Sequence, residues 1–354
     1  MVVTTNGPPR HAPRTITAAE IQAALGAYGL RPRALVIYRR TARVETDGGV
    51  YALTAVPDRD AFVRTAEKIA SYGLRRPFAV PYVPTRTGRY VADAFGRAFA
   101  LAPWLAETTG EHAARLGDGR WVSPFLTELA RWHAAFRLPV ASRLFWPEAE
   151  ALIARWEKRR TALVRWADDV AALAYPSPVD VLFAHVQPDL LLALDQALAM
   201  AREWHTRLTE ISTVDMTLIH AYPTPERIAL TAHGPLLFDW TRAEEGPVVR
   251  DLLAFWRALR IGPLAGAFVE GLQAYRAVRA LLPEEEALFS AAVFYPAEPL
   301  NFLERYFAGD MRAHMIDLTA RFERVLQNFY AAREALIPFD TSVPFEERPD
   351  VEQK

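Results

Sequence analysis

Apolar and polar residues alternate with mixed periods over the first third of the chain and with helical spacing over most of the rest. Ile16 and Ile21 bracket Thr17-Ala-Ala-Glu20, which has the form of a capping box with a hydrophobic staple, and Gly29 is placed to close the helix that follows. Ala34–Tyr38, Ala42–Thr46 and Val50–Val56 read as strands, with Asp47-Gly48-Gly49 as a hairpin turn between the last two. Phe62, Ala66 and Ile69 recur at helical spacing, which predicts a helix over Asp60–Tyr72. Phe78–Pro84, Arg89–Val91 and Phe99–Trp104 read as short strands and complete a small α+β lobe.

Past Glu107 the pattern is helical. Ser123 is expected to cap Pro124–Phe136, since proline suits a first helical position. Amphipathic helices are expected at Pro147–Ala172, Asp189–Thr209, Val248–Arg260, Leu264–Leu282 and Asp310–Ala335. Leu218–Trp240 interrupts this run: two apolar strand candidates flank the polar loop His220-Ala-Tyr222-Pro-Thr-Pro-Glu-Arg227, and a second turn carries Asp239. The expected organisation is a disordered stretch at 1–15, a sheet-bearing lobe at 16–107, a helical lobe at 108–336 containing the 218–240 insert, and a flexible tail at 337–354.

Composition narrows the classes. Hydrophobic residues make up 51% of the 354, enough for a substantial core. A net charge of −1 argues against a general nucleic-acid or membrane-surface binder. The absence of cysteine excludes disulfides and thiolate metal sites, and fits a reducing compartment. The polar, proline-containing N-terminus does not read as a secretory signal. Val181–Ala201 is interrupted by His185, Asp189 and Asp195, and reads as a buried helix rather than a membrane span.

The 218–240 layout resembles the catalytic and metal loops of aminoglycoside-phosphotransferase-like kinases, where His-x-Asp-x-x-x-x-Asn is followed, a hairpin later, by an acid in an Ile/Phe-Asp-Phe/Trp setting. Further segments resemble the spore coat protein S (CotS) family: Arg43–Thr54, Tyr72-Gly-Leu with Val80–Val91, Phe99–Leu105, Leu129–His133, Arg250-Asp251-Leu-Leu, and Phe294-Tyr-Pro296 with Tyr306-Phe307. The resemblance implies a two-lobe protein-kinase-like α+β fold, cytoplasmic synthesis, a place in the spore coat or on the spore surface, and other coat proteins as partners. The charge and the interrupted apolar stretch lead to the further expectation of no nucleic acid and no membrane insertion.

On that pattern His220 stands at the loop histidine, Tyr222 at the catalytic aspartate, Arg227 at the metal-binding asparagine and Asp239 at the metal-binding aspartate. Thr54 occupies the place of the phosphate-gripping strand lysine, and Glu67 that of its helical partner. A phenol with a reference pKa near ~10 is a poor general base at pH 7. A guanidinium has no acceptor for a metal. Pro223 and Pro225 stiffen the loop. His220, His133 and Asp251 read as architectural, and Asp239 as a turn acid or a weak cation ligand. Arg39, Arg40 and Arg227 are candidates to hold an anion without a metal.

The expected function is therefore a non-catalytic kinase-like (pseudokinase) coat protein needing no cofactor. Two alternatives stay open. One is an atypical small-molecule kinase using Mg-ATP on a hydroxylated metabolite or sugar; the other is an anion- or nucleotide-sensing protein without turnover.

Overall fold

The computed structural model describes residues 15–73, 78–105, 108–260 and 264–335. The loose ends expected at 1–15 and 337–354 lie outside them, Thr15 excepted. Two compact units emerge: Met1–Leu138 with Met216–Phe255 and Ala274–Arg279, and Pro139–Asp215 with Trp256–Gln273 and Ala280–Lys354.

In the first unit, α1 (Ala18–Tyr28) begins with the reciprocal cap that its sequence specifies. Thr17 Oγ1 accepts from Glu20 N at 3.3 Å, and Glu20 Oε2 accepts from Thr17 N at 2.7 Å. Ile16 and Ile21 are buried beneath it, and Gly29 ends the helix at φ 73°, a left-handed conformation that glycine adopts without Cβ strain. The sheet consists of β1 (Pro32–Ile37), β2 (Thr41–Thr46), β3 (Gly49–Val56) and, after α2 (Arg59–Gly73), β4 (Ala92–Ala94) and β5 (Arg97–Pro103). Its order is β1-β2-β3-β5-β4, with antiparallel neighbours throughout. Ala42, Val44, Leu53, Ala55, Phe99 and Leu101 turn one face onto Ile21, Ala24 and Leu25 of α1. Because side chains alternate along a strand, Thr41, Arg43, Ala52 and Thr54 belong to the opposite face.

The segment expected to form strands at 78–84 and 89–91 makes only isolated bridges, at Ala79 and Val83. Pro81 and Pro84 have no N–H to extend a ladder, and the chain instead turns at Thr85–Arg89, with Gly88 N and Arg89 N both donating to Thr85. Next come β6 (Thr108–Thr109), α3 (Gly110–Arg115) and α4 (Val122–Ala135). The expected Ser123 cap is not formed: α4 starts two residues earlier, after Trp121, with no side-chain cap, and the Ser123 carbonyl accepts from Thr127 Oγ1. Pro124 is tolerated there because the first-turn N–H groups have no intrahelical acceptor in any case.

The second unit is built on helices. After β7 (Leu138–Ala141) come α5 (Trp146–Ala171) and α6 (Pro178–Glu210). The latter starts well before the expected Asp189, at a Ser177/Asp180 capping box, and carries Pro188 in its interior. A proline there removes one intrahelical bond, so the sequence favoured a later start. The burial of Val186, Leu190, Leu194, Ala197 and Leu198 in the main core of this unit offsets the loss.

The chain then returns to the first unit. It forms β8 (Thr213–Ile219), β9 (Ile228–Thr231), β10 (Gly234–Leu237), β11 (Glu244–Gly246) and the first part of α7 (Val249–Leu259), while most of α8 (Ala265–Val278) belongs to the second unit. The last three helices are α9 (Pro283–Phe294), α10 (Ala297–Phe307) and α11 (Met315–Glu334). Neither α9 nor α10 was expected from the periodicity, and α8 and α11 are shorter than the stretches read for them. In α9 the apolar residues lie nearly all round, which suits packing against α6 but leaves little amphipathic signal.

Candidate functional site

The loop between β8 and β9 is fixed from below by one buried carboxylate. Asp251 Oδ2 accepts from His220 N at 2.9 Å and from His133 Nε2 at 3.2 Å, and Oδ1 accepts from Ala221 N at 2.7 Å. His133 Nδ1 is 2.8 Å from the Tyr275 hydroxyl. Ala221 sits at φ 67°, a left-handed conformation that costs a non-glycine residue on the order of 1 kcal/mol and is held by these bonds. His220 is buried. Its Nε2 donates to Phe238 O at 2.9 Å and its Nδ1 accepts from Tyr222 N at 3.3 Å, so both ring nitrogens are committed in the neutral form. Burial lowers its pKa, with Asp251 opposing the shift. The ring stands edge-on to Trp240, which packs on Trp132 with centroids 4.5 Å apart, and Trp132 Nε1 donates to Leu218 O. His220, His133 and Asp251 are thus fully occupied as bracing groups.

Above this brace the loop turns through the 3-10 turn Pro225–Arg227, and Arg227 points back over it. Its Nε donates to Asp239 Oδ2 at 3.1 Å, and its guanidinium lies 4.7 Å from the centre of the Tyr222 ring. Longer contacts run from Nη1 to Tyr222 O and to Thr224 Oγ1, at 3.4 and 3.5 Å. Asp239, at φ 61°, has its other carboxylate oxygen bonded by Thr241 Oγ1 at 2.7 Å. Three of the candidates named from the sequence, Tyr222, Arg227 and Asp239, therefore form one cluster with the arginine at its centre.

The remaining candidates separate. Thr54 meets Thr41 across the β2–β3 pair, hydroxyl to hydroxyl, at 3.0 Å. Arg40 Nη2 donates to Ala55 O at 3.1 Å, beside Thr54. The turn carrying Asp239 and Arg242 packs against β3. Burial and the neighbouring Arg242 lower the Arg40 pKa, partly offset by Asp239. Glu67 is exposed on α2 and makes no ion pair or hydrogen bond among the described residues, while Lys68 beside it pairs with Glu245 at 3.1 Å. Arg39 is exposed, and its carbonyl accepts from Ile16 N.

Sequence reasoning missed four contributors. Thr241 could have been read from its place two residues after an acid, where a hydroxyl commonly closes onto the preceding carboxylate. Tyr82 lies in a segment noted for its resemblance but given no role; its buried hydroxyl accepts from Trp240 N at 3.0 Å, and burial raises its pKa with Asp239 adding to the shift. Arg242 and the Trp132–Trp240 pair carry no local signal, because their positions follow from packing between elements distant in sequence.

The kinase pattern that the sequence resembles holds Mg²⁺ through two loop ligands and grips phosphates with a lysine. The residues here do not fit that group. Each Asp239 oxygen accepts an internal donor, and of the other positions that the sequence resemblance assigns to the metal and phosphate groups, Arg227 carries a fixed positive charge and Thr54 carries none. Among the described residues there is no group of three or more His, Asp or Glu side chains placed to hold a metal ion, and no helix is long and apolar enough to cross a membrane.

No family model matches the chain, and no curated protein matches it in sequence. Solved structures do match. An aminoglycoside phosphotransferase from Alicyclobacillus acidocaldarius superposes with a TM-score of 0.66 at 14% identity, over 90% of this chain and 95% of that one. Spectinomycin phosphotransferase in its AMP-bound complex gives 0.56 at 10% identity, over 93% and 99%. The same enzyme with ADP and spectinomycin gives 0.50 at 9% identity, over 90% and 99%. The fold is the aminoglycoside-phosphotransferase-like kinase fold, with a small antiparallel sheet and a mainly helical remainder.

Proposed function

We propose that the chain is a kinase-fold protein that does not transfer phosphate and acts as a binding component. The observation that carries this reading is the Arg227–Asp239 pair: a fixed cation sits against the acid that a metal would need. Each Asp239 oxygen keeps a lone pair beside its internal donor, but the guanidinium at 3.1 Å offsets the carboxylate charge that would attract Mg²⁺ and repels the ion. Tyr222 gives no carboxylate to take a proton from an acceptor hydroxyl, a role worth about 10²–10⁴ in rate. The resemblance to the spore coat protein S family suggests where it binds: within the spore coat, among other coat proteins. Recovering the chain from the coat fraction of purified spores would test that location, and its absence there would sink it.

The likeness to solved phosphotransferases favours a second reading, an atypical kinase acting on a small hydroxylated molecule. Incubation with Mg-ATP and a panel of sugars and aminoglycosides separates the two. The first reading predicts no transfer above the protein-free rate. Transfer that needs Mg²⁺ and is lost in Asp239→Ala supports the second.

A further inference from the structure

We infer that Arg40, Arg242 and the outer edge of Arg227, with the Thr41 and Thr54 hydroxyls, form a metal-independent receptor for a clustered oxyanion such as an inorganic polyphosphate or a phosphorylated ligand. This rests on the non-phosphorylating reading of the same site and names the ligand that reading leaves open.

The argument is one of charge and committed donors. The Asp239 charge is taken up by Arg227, which still has Nη2 free of any partner among the described residues. Arg40 uses only Nη2, on the carbonyl of Ala55, leaving Nε and Nη1 uncommitted. Arg242 is exposed and makes no hydrogen bond or ion pair among the described residues. Arg242 opposes the charge on Arg40, and Asp239, which itself pairs with Arg227, partly offsets it. Arg97 is paired with Glu20. Arg40, held on the Ala55 carbonyl of β3, and Arg242 thus act on one another as like charges. The turn bearing Arg242 packs on β3, whose half-buried Thr54 is bonded to Thr41, one hydroxyl donating to the other and leaving one O–H of the pair to donate to a phosphate oxygen. Guanidinium forks match phosphate geometry and keep their charge at any physiological pH. A metal-bound phosphate carries less negative charge, so this receptor favours the free anion.

The test is binding of inorganic tripolyphosphate to the full chain by calorimetry at low ionic strength with EDTA present. The inference expects binding without metal, weakened by added salt. It expects Arg242→Ala to raise Kd about tenfold or more, as for loss of a charged hydrogen bond. Arg242 is exposed, so this variant should fold, and its melting temperature checks that it does. Arg40→Lys keeps the charge but loses the fork, and should also raise Kd, whereas Arg39→Ala should leave it unchanged. No binding in EDTA, binding only with Mg²⁺, or an equal loss in Arg39→Ala would each overturn the inference. Metal-free binding that depends on Arg242, seen together with Mg-dependent phosphate transfer from ATP, would sink the non-phosphorylating reading and leave the oxyanion receptor standing.

Discussion

Replacing Arg227 with alanine removes the group on which the cluster converges. The ion pair to Asp239 is partly solvated, with side-chain exposures of 25% and 33%. Exposed pairs contribute about 0.2–1 kcal/mol, and breaking a fully buried one costs about 3–5 kcal/mol, so this pair belongs between them, at about 1–1.5 kcal/mol. The Tyr222 contact adds about 0.5–1 kcal/mol, while the two contacts at 3.4 and 3.5 Å are too long to add much. Arg227→Ala should therefore destabilise by about 2 kcal/mol, a fall in Tm of roughly 4–8 °C for a cooperative unit of about 150–250 residues. The decisive assay is a double-mutant cycle with Asp239→Ala, followed by urea unfolding. Arg227→Ala and Asp239→Ala should couple by about 1 kcal/mol. A coupling energy within error of zero would show that the arginine does not hold the acid, and the reason given for metal exclusion would fail.

Two further outcomes follow from the brace beneath the loop. His220 is neutral and bonded at both nitrogens, with its pKa depressed by burial. An unfolded histidine titrates near ~6.5, so the unfolded state binds the extra proton first, and stability should be full above that pH and fall as pH drops toward the depressed folded value. His220→Gln should flatten this part of the pH profile, and an unchanged profile would contradict the assignment. Asp251→Asn should cost roughly 2–4 kcal/mol by urea unfolding, because an amide N–H₂ must face a donor where a carboxylate oxygen accepted one. A loss under about 0.5 kcal/mol, the range typical of unremarkable surface changes, would show that Asp251 is not the anchor.

The two-lobe fold class was legible because its early elements are signalled locally. The Thr17/Glu20 box, Gly29 and the Asp47-Gly48 turn each specify geometry within a few residues. Two misreadings have physical reasons: α6 reads only from Asp189 because its first third runs into Pro188, and α9 goes unread because it is apolar nearly all round. The candidate site shows the same division. Tyr222, Arg227 and Asp239 could be singled out from the spacing of one loop and the turn after it, and the structure brings these three together. That Arg227 folds onto Asp239 could not be read, since it needs the turn at Pro225 and the pairing of Phe238 N with Arg227 O. Arg39 and Arg40 looked equivalent in sequence, yet one is exposed and the other is anchored on β3 beside Asp239.

The central claim is that this site does not carry metal-assisted phosphate transfer, and release of labelled γ-phosphate from ATP tests it most directly. Phosphate release to water and to a panel of sugar and aminoglycoside acceptors would be followed with Mg²⁺ and with EDTA, for the native chain and for Asp239→Ala. The account predicts rates equal to the protein-free control in all four conditions. A Mg²⁺-dependent rate in the native chain that disappears in Asp239→Ala would contradict it.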